Sequence, residues 1–162
     1  MPIYMKFPGV EGTAKGCHKG WIELESVVLG VNRHVTSSTA AGDNREASAP
    51  PVSEIVVSKA QDIASTNLYR QSAHGMGQKV IIDFVATDSK NGVPYMSLEL
   101  ENVLITNHSI SGHGGTSNSV PMETMTLSAT KMTYSSKATQ ASKEREHVRD
   151  RAAWDLATAR SQ

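Results

Sequence analysis

The chain has 162 residues, a length typical of one domain with its own core, and we predict that residues 1–162 form a single domain. Lys plus Arg and Asp plus Glu number 16 each, so the formal net charge is zero, which disfavours a nucleic-acid partner whose phosphates need neutralising. Neither a run of 18 apolar residues nor the apolar core of a signal peptide occurs. We therefore expect no membrane span and synthesis in the cytoplasm.

The first third of the chain shows the alternation of apolar and polar residues that is typical of half-buried strands. Strands are predicted at 3–7 and 21–33, with a glycine-rich loop between them. Residues 27–29 are a continuous apolar run, which predicts a strand covered on both faces or a change of phase at a bulge. A third strand is predicted at 53–60.

Residues 34–52, which precede the third strand, have no periodicity. Nineteen residues without a pattern are long for a connection in a compact domain, and such loops are usually functional or disordered. Two interpretations remain open: a long projecting loop that makes contacts, or a plain flexible connection.

A single short helix is predicted at about 62–74, ended by glycines. Its apolar stripe is narrow, enough for one packed face. We predict that Ile63, Leu68 and Tyr69 pack on the strands and that Arg70 stays in solvent.

The second half of the chain predicts three further strands, at 78–88, 93–107 and 121–135. Asn91 and Gly92 are a strong hairpin signal between the first two. The apolar phase slips after Leu100, which predicts a bulge near Glu101 and Asn102.

The C-terminal segment, 137–162, is harder to assign. Residues 137–151 are charged and are predicted to be helical or solvated, and Trp154 is a late apolar anchor. The elements together predict a mainly antiparallel β fold, sandwich or barrel, with one helix on one side. The apolar runs at 27–29 and 103–105 need cover beyond that helix, which predicts association through sheet edges.

No pattern in the sequence predicts a catalytic or metal site. The single cysteine, Cys17, excludes an internal disulfide and a Cys-based metal site, and its neighbour His18 is too close in sequence for a nucleophile–base pair. His108 and His113 flank a glycine-rich loop without a third ligand, so we expect exposed loop histidines. We therefore predict no metal, no cofactor and no enzymatic activity.

Six short segments in order resemble those of one known family. They are Ile3-Tyr4-Met5-Lys6-Phe7 with Val10-Glu11-Gly12; Trp21-Ile22-Glu23-Leu24; Lys59 and Asp62 leading to Leu68, in the pattern K-x-x-D-x-x-S/T-x-x-L; Leu100 to Ile105 with Ser109-Ile110-Ser111-Gly112; Glu123 to Tyr134; and Trp154-Asp155-Leu156. The chain resembles the Hcp (haemolysin-coregulated protein) family, the tube protein of bacterial type VI secretion systems. The resemblance covers nearly the whole chain.

The resemblance implies a β-barrel of two antiparallel sheets with one short flanking α-helix. It further implies homohexameric rings that stack into a hollow tube inside a contractile sheath, with the sheath, baseplate and spike proteins as partners. Small effector proteins would ride in the lumen, and no nucleic acid would bind. The tube would assemble in the cytoplasm and leave the cell without a cleaved signal peptide.

For contacts between subunits or between rings, we predict residues of the 34–52 loop and the C-terminal anchor: Val35, Thr36, Asp43, Asn44, Arg45, Glu46 and Trp154. Ala153 stands where the family often has Gly. Two alternatives are a phage-type tail tube protein, which shares the architecture, and a secreted β-sandwich adhesin. The mass of the protein in solution separates a ring from a monomer.

Overall fold

A computed structural model describes most of the chain. The described residues are 1–30, 35–36, 46–47, 54–86, 92–115, 119–137, 149–155 and 160–161. Their strands are β1 (Ile3–Lys6), β2 (Ile22–Leu24), β3 (Ser26–Val28), β4 (Val35–Thr36), β5 (Glu46–Ala47), β6 (Ile55–Ala60), β7 (Gln78–Val85), β8 (Pro94–Ser111), β9 (Met122–Ser128), β10 (Lys131–Lys137), β11 (Arg149–Asp155) and β12 (Arg160–Ser161). The α-helix α1 is Ser65–His74, and Gly16–His18 is a 3-10 turn.

The strands form two antiparallel sheets that share one long strand. Sheet A has the order β12-β11-β10-β8-β7-β1-β2, and sheet B has the order β3-β6-β9-β8. Residues 94–103 of β8 pair within sheet A, and residues 104–111 pair with β9 in sheet B. The prediction of a mainly β fold with two antiparallel sheets and one helix is confirmed.

The two sheets surround the core because three segments pass from one sheet to the other. Two of them are β8 and the β9–β10 segment. The third is the β2–β3 segment, which bends at Glu25, whose N–H donates to the carbonyl of Ser58 in β6 at 2.8 Å. The hydrogen-bonded order itself ends at β2 and at β3. At β2 and β3 the two sheets are therefore joined by the covalent chain and not by hydrogen bonds between two strands.

The core is aliphatic and follows the period of two along the strands. Its fully buried side chains come from both sheets and from α1: Met5, Ile22, Val57, Leu68, Val80, Ile82, Leu98, Leu100, Met125 and Leu127. Burying a side chain of this size contributes about 1.5–3 kcal/mol. The aliphatic core is sufficient although aromatic residues make up only 5% of the chain.

The predicted bulge in β8 is confirmed. One residue of β7 lies opposite Glu101 and Asn102, and Asn102 has a φ of 52°. The extra residue changes the phase of the strand, so Leu100 and Val103 both reach the core. The bulge lies where β8 leaves sheet A for sheet B.

Helix α1 packs through a different pair of residues than predicted. Ala64 and Leu68 are fully buried, which confirms Leu68, but Ile63 is 66% exposed and Tyr69 is 61% exposed. The prediction for Ile63 was wrong. Tyr69 is largely exposed, but its ring centroid lies 5.8 Å from that of His108 in β8, so it does contact a strand. The helix begins at Ser65, so Ile63 lies in the preceding turn, and Tyr69 follows Leu68 by about 100° around the helix.

Two predicted strands are divided in the structure. The 21–33 strand is bent into β2 and β3, and the 121–135 strand is divided into β9 and β10. The second division arises because β9 pairs with β6 while β10 pairs with β11. Part of the charged segment predicted to be helical or solvated belongs to strand β11. The predicted turn at Asn91 falls on residues 87–91, which lie outside the described residues.

Candidate assembly surface

The predicted contact residues of the long loop are only partly described. Val35 and Thr36 form β4, which pairs with β5 so that Thr36 lies opposite Glu46. This two-stranded pair is a separate sheet at the ends of the segment that was predicted to have no regular structure. Asp43, Asn44 and Arg45 lie outside the described residues.

Trp154, the remaining predicted contact residue, lies in β11. It is half-buried and pairs with Met132 of β10 and Ser161 of β12. Neither β4 nor β5 pairs with β11. The strand pairing therefore does not bring Trp154 together with the predicted loop residues.

Sheet B ends in two open edges. β3 pairs only with β6, and residues 104–111 of β8 pair only with β9, since β7 ends opposite Val103. Among the described residues, no strand pairs with the outer side of either segment. An open strand edge presents unpaired N–H and C=O groups that can pair with another chain.

The two edges coincide with the apolar runs noted in the sequence. Val28 in β3 is 60% exposed, and Leu104 in β8 is 45% exposed. Val103 and Ile105 are buried in the core, so the second run lacks cover only at Leu104. The location of the exposed residues at opposite ends of one sheet required the strand order. An exposed apolar side chain at an open edge favours pairing with a second chain.

The face of sheet B that points away from the core carries uncharged side chains, many of them with hydroxyl groups. One row crosses all four strands in register, Ser26, Ser58, Thr124 and Ser109. The Ser26 and Ser58 hydroxyls lie 2.6 Å apart, within hydrogen-bond distance. The charged residues of β6 and β9 are buried on the other face, so this outer face has no charged side chain on its strands.

Those buried charges are Lys59 and Glu123, which lie directly opposite each other in β6 and β9. Lys59 Nζ lies 3.2 Å from Glu123 Oε2, 2.8 Å from Asp62 Oδ1, 3.1 Å from Ser65 Oγ and 2.7 Å from the carbonyl of Ala60. The cluster ties the start of α1 to sheet B. Because both ends of the Lys59–Glu123 pair are fully buried, each charge depends on the other for compensation.

The same cluster explains the three-residue spacing that carried the resemblance. Asp62 Oδ1 also accepts a hydrogen bond from the Ala64 N–H at 2.9 Å, and Ser65 Oγ accepts one from the Asp62 N–H at 2.9 Å. These bonds satisfy backbone donors at the start of the helix. Leu68 then follows as the buried anchor, so each residue of the pattern has a structural role.

His108 lies inside sheet B rather than in a loop. It belongs to β8, opposite Met125, and its side chain is 2% exposed, so the prediction of an exposed loop histidine was wrong. The chain continues as a strand to Ser111, which the polar sequence did not indicate. His113 is exposed, as predicted.

A second polar cluster lies on the outer face of sheet A. His18 Nε2 is 3.1 Å from Asp83 Oδ2, and the Ser97 hydroxyl donates to Asp83 Oδ1 at 2.6 Å. The His18 ring stacks on Tyr4 with centroids 4.7 Å apart. The serine bonds to the carboxylate and not to the imidazole, so the imidazole is not placed to take its proton as a nucleophile–base pair requires.

Burial raises the pKa of the Tyr4 hydroxyl, and the nearby charge of Glu23 raises that pKa further.

Within the described part of the chain, no group of three or more His, Cys, Asp or Glu side chains could hold a metal ion. Among the described residues, no helix is long and apolar enough to cross a membrane.

Comparison with solved structures finds the same fold in other proteins. A structure described as a type six secretion system protein superposes with a TM-score of 0.88 at 20% identity, covering 99% of both chains. Hcp1 from Salmonella typhimurium gives a TM-score of 0.75 at 21% identity, covering 99% of this chain and 98% of that one. A type VI secretion system effector from Yersinia pestis gives 0.63 at 24% identity, covering 94% and 98%. At these identities the likeness shows the fold.

The amino-acid sequence identifies the family. A family model described as "Type VI secretion system effector, Hcp" matches residues 4–135. The chain is therefore a protein of the type VI secretion system. Within that class, it belongs to the Hcp family, as the resemblance indicated. No match is found among curated proteins. The family match favours the type VI interpretation over a phage tail tube protein or an adhesin.

Proposed function

We propose that the protein is the structural tube subunit of a type VI secretion system, forming hexameric rings that stack into a hollow, expelled tube. The observation that carries the proposal is the pair of open edges at the two ends of sheet B, β3 on one side and residues 104–111 of β8 on the other. Two different edges on one molecule favour head-to-tail association. Such contacts form a ring when the rotation that relates each copy to the next returns to the first copy.

The strand directions allow one continuous sheet around such a ring. All three pairs inside sheet B are antiparallel, so four strands place β3 and β8 in opposite directions. The β8 edge of one copy would then meet the β3 edge of the next as an antiparallel neighbour. The number six comes from the family resemblance, since the edges alone set no copy number.

The position of sheet A and α1 favours one orientation of sheet B in the ring. Both lie on the core side of sheet B. Because a ring of six subunits has more room at its outside than at its centre, sheet A and α1 would face outward and sheet B inward. The outer face of sheet B, with Ser26, Ser58, Thr124 and Ser109, would then line the lumen. An uncharged lining of hydroxyl groups makes hydrogen bonds with a small effector without a fixed charge to select or repel it.

We expect a structural role rather than catalysis, because the Ser97, His18 and Asp83 constellation among the described residues has the wrong order of hydrogen bonds for an activated nucleophile. The ring would assemble in the cytoplasm and contact the sheath, baseplate and spike proteins before secretion.

Crosslinking tests the edge-to-edge ring. In a Cys17→Ser background, the double variant Val28→Cys with Leu104→Cys would be treated with a short bis-maleimide. We expect a ladder of covalent species up to six protomers, because each copy offers one β3 edge and one β8 edge. Sedimentation of the untreated protein should give about six times 17.4 kDa.

The single variants Val28→Cys and Leu104→Cys are the matched controls. In a head-to-tail ring like edges do not meet, so neither should crosslink beyond the background of the Cys17→Ser protein. Efficient dimers from a single variant would indicate a two-fold contact instead. A monomer at micromolar concentration in all preparations would contradict the proposed ring.

A further inference from the structure

The two ends of sheet B carry different parts of the chain. At one end the chain leaves β3 after Val28 and returns to β6 at Ile55, so the connection that contains the 34–52 loop starts and finishes there. At the other end β6 leads into the turn before α1. There the Gln61 N–H donates to the carbonyl of Pro121, just before β9, at 2.9 Å. The loop and this turn are therefore attached to opposite ends of the same sheet.

The end of sheet B away from the loop presents apolar side chains to solvent. Ile63, Ile110 and Val120 are each more than half exposed. Ile63 and Val120 lie within two residues of the hydrogen bond between Gln61 and Pro121, and Ile110 belongs to the last part of β8, which pairs with the start of β9. We call these three residues the apolar end of sheet B. Grouped exposed apolar side chains indicate a contact with another chain.

The proposed ring gives these two ends a direction. In that ring the strands of sheet B are hydrogen-bonded sideways from one copy to the next, so they run along the ring axis with a tilt, as strands do in a closed barrel. The ends of sheet B then point to the two faces of the ring. One face carries the attachment of the 34–52 loop, and the other carries the apolar end. Unlike faces favour head-to-tail contacts, which repeat without closing and form a filament.

We propose that the apolar end of sheet B is the surface that receives the 34–52 loop of a copy in the next ring. The inference rests on the proposed tube and adds the residues at which one ring meets another. The composition of the loop suits this surface, since residues 47–52 are Ala-Ser-Ala-Pro-Pro-Val and include no charged side chain. Contact with the apolar end removes apolar surface of both rings from water.

Substitution of Ile63 tests the surface. Ile63→Glu places a charge on the apolar end, and it should leave the fold and the ring intact because this side chain is exposed in the subunit. We expect the protein concentration at which tubes appear in negative-stain images to rise about tenfold or more. Lys79→Gln on the outer face of sheet A changes the net charge by the same amount and should leave the tubes unchanged.

Crosslinking tests whether the loop is the partner of this surface. In a Cys17→Ser background, tubes of the double variant Ile63→Cys with Ala47→Cys would be treated with a short bis-maleimide. We expect a ladder of covalent species that continues beyond six protomers, because each link joins two rings, whereas links within one ring stop at six. Either single variant should give only the background of the Cys17→Ser protein.

The outcomes separate this inference from the proposed function. Tubes of Ile63→Glu that form at the wild-type concentration would overturn the stacking surface, and so would a double variant without links between rings. Wild-type rings that never stack, as measured by sedimentation and imaging, would also overturn it and leave the ring in place. Absence of rings from the wild-type protein would instead contradict the proposed function itself.

Discussion

The two sheets of this barrel share a core and a strand, yet their other surfaces differ in chemistry. Sheet A places polar and charged groups outward, including Lys79 paired with Glu99 at 3.1 Å. Sheet B keeps its charged pair, Lys59 and Glu123, inside and presents hydroxyl groups outward. A solvated face tolerates any charge, whereas a face that meets other chains is depleted of charge. This difference in charge supports the proposal that sheet B is the assembly surface and that the outer face of sheet A meets solvent.

The largest effect is expected from the buried pair. Lys59→Ala should lower the free energy of unfolding by about 3–5 kcal/mol, because it leaves Glu123 charged and uncompensated in the interior. Urea denaturation of each variant measures the change. Lys79→Ala is the matched control in sheet A, where both partners are well exposed, and its cost should be about 0–1 kcal/mol. Equal losses in the two variants would remove the contrast between the sheets.

An exposed edge residue should affect assembly more than folding. Val28→Glu places a charge on the open edge of β3, and we expect ring formation to weaken by about tenfold or more through repulsion and loss of apolar contact. Sedimentation velocity over a concentration series measures it. Met76→Glu, an equally drastic change at an exposed residue between α1 and β7, should leave the ring unchanged. If only Met76→Glu lost its rings, the interface between subunits would lie on the side of sheet A and not at the β3 edge of sheet B.

Shortening the long loop should affect stacking of rings rather than the barrel. Deletion of residues 40–49 should change the free energy of unfolding by less than about 1 kcal/mol, because loop length contributes little to stability. Negative-stain images should show fewer and shorter tubes with rings preserved. Tubes of normal length from the deletion variant would identify the segment as a simple connection.

The smallest effect concerns the hydroxyl of Tyr4 on the outer face of sheet A. Its pKa is raised in the folded protein by burial and by the charge of Glu23. Above about pH 10 the unfolded chain therefore loses this proton first, and stability falls as pH rises toward the folded pKa. Tyr4→Phe should show a shallower decline between pH 9 and 11 in urea denaturation. Identical slopes would mean that Tyr4 does not contribute.

Periodicity was sufficient to predict the strands that line the core and the β8 bulge, because apolar alternation is a local signal that a half-buried strand must carry. It did not predict β11 or the polar end of β8. It was insufficient for the interior polar residues. Lys59, Glu123 and His108 face inward, but their residue types are those of solvent-facing positions. The ion pair between Lys59 and Glu123 compensates the burial of those two charges. The pattern of Lys59, Asp62 and Leu68 was visible in the sequence, while the partner across the sheet was not.

The assembly surface was the least accessible to sequence reasoning. The apolar residues at 27–29 and 103–105 indicated missing cover, but which edges are open depends on non-local strand order. Helix faces were similarly sensitive to a small error, since a start at Ser65 instead of 62 placed Ile63 outside the helix. The sequence therefore predicts which residues form an apolar surface, but only the fold shows where that surface lies.

Strand β8 has a mechanical consequence. Its residues 94–103 are hydrogen-bonded into sheet A and its residues 104–111 into sheet B, so a single covalent backbone spans both sheets. A pull on one sheet is carried to the other along peptide bonds, and separating the two sheets requires many ladder hydrogen bonds to shear together. In the proposed tube, such a subunit would withstand sudden axial load as one body, and the joints between subunits would yield before the subunit tears.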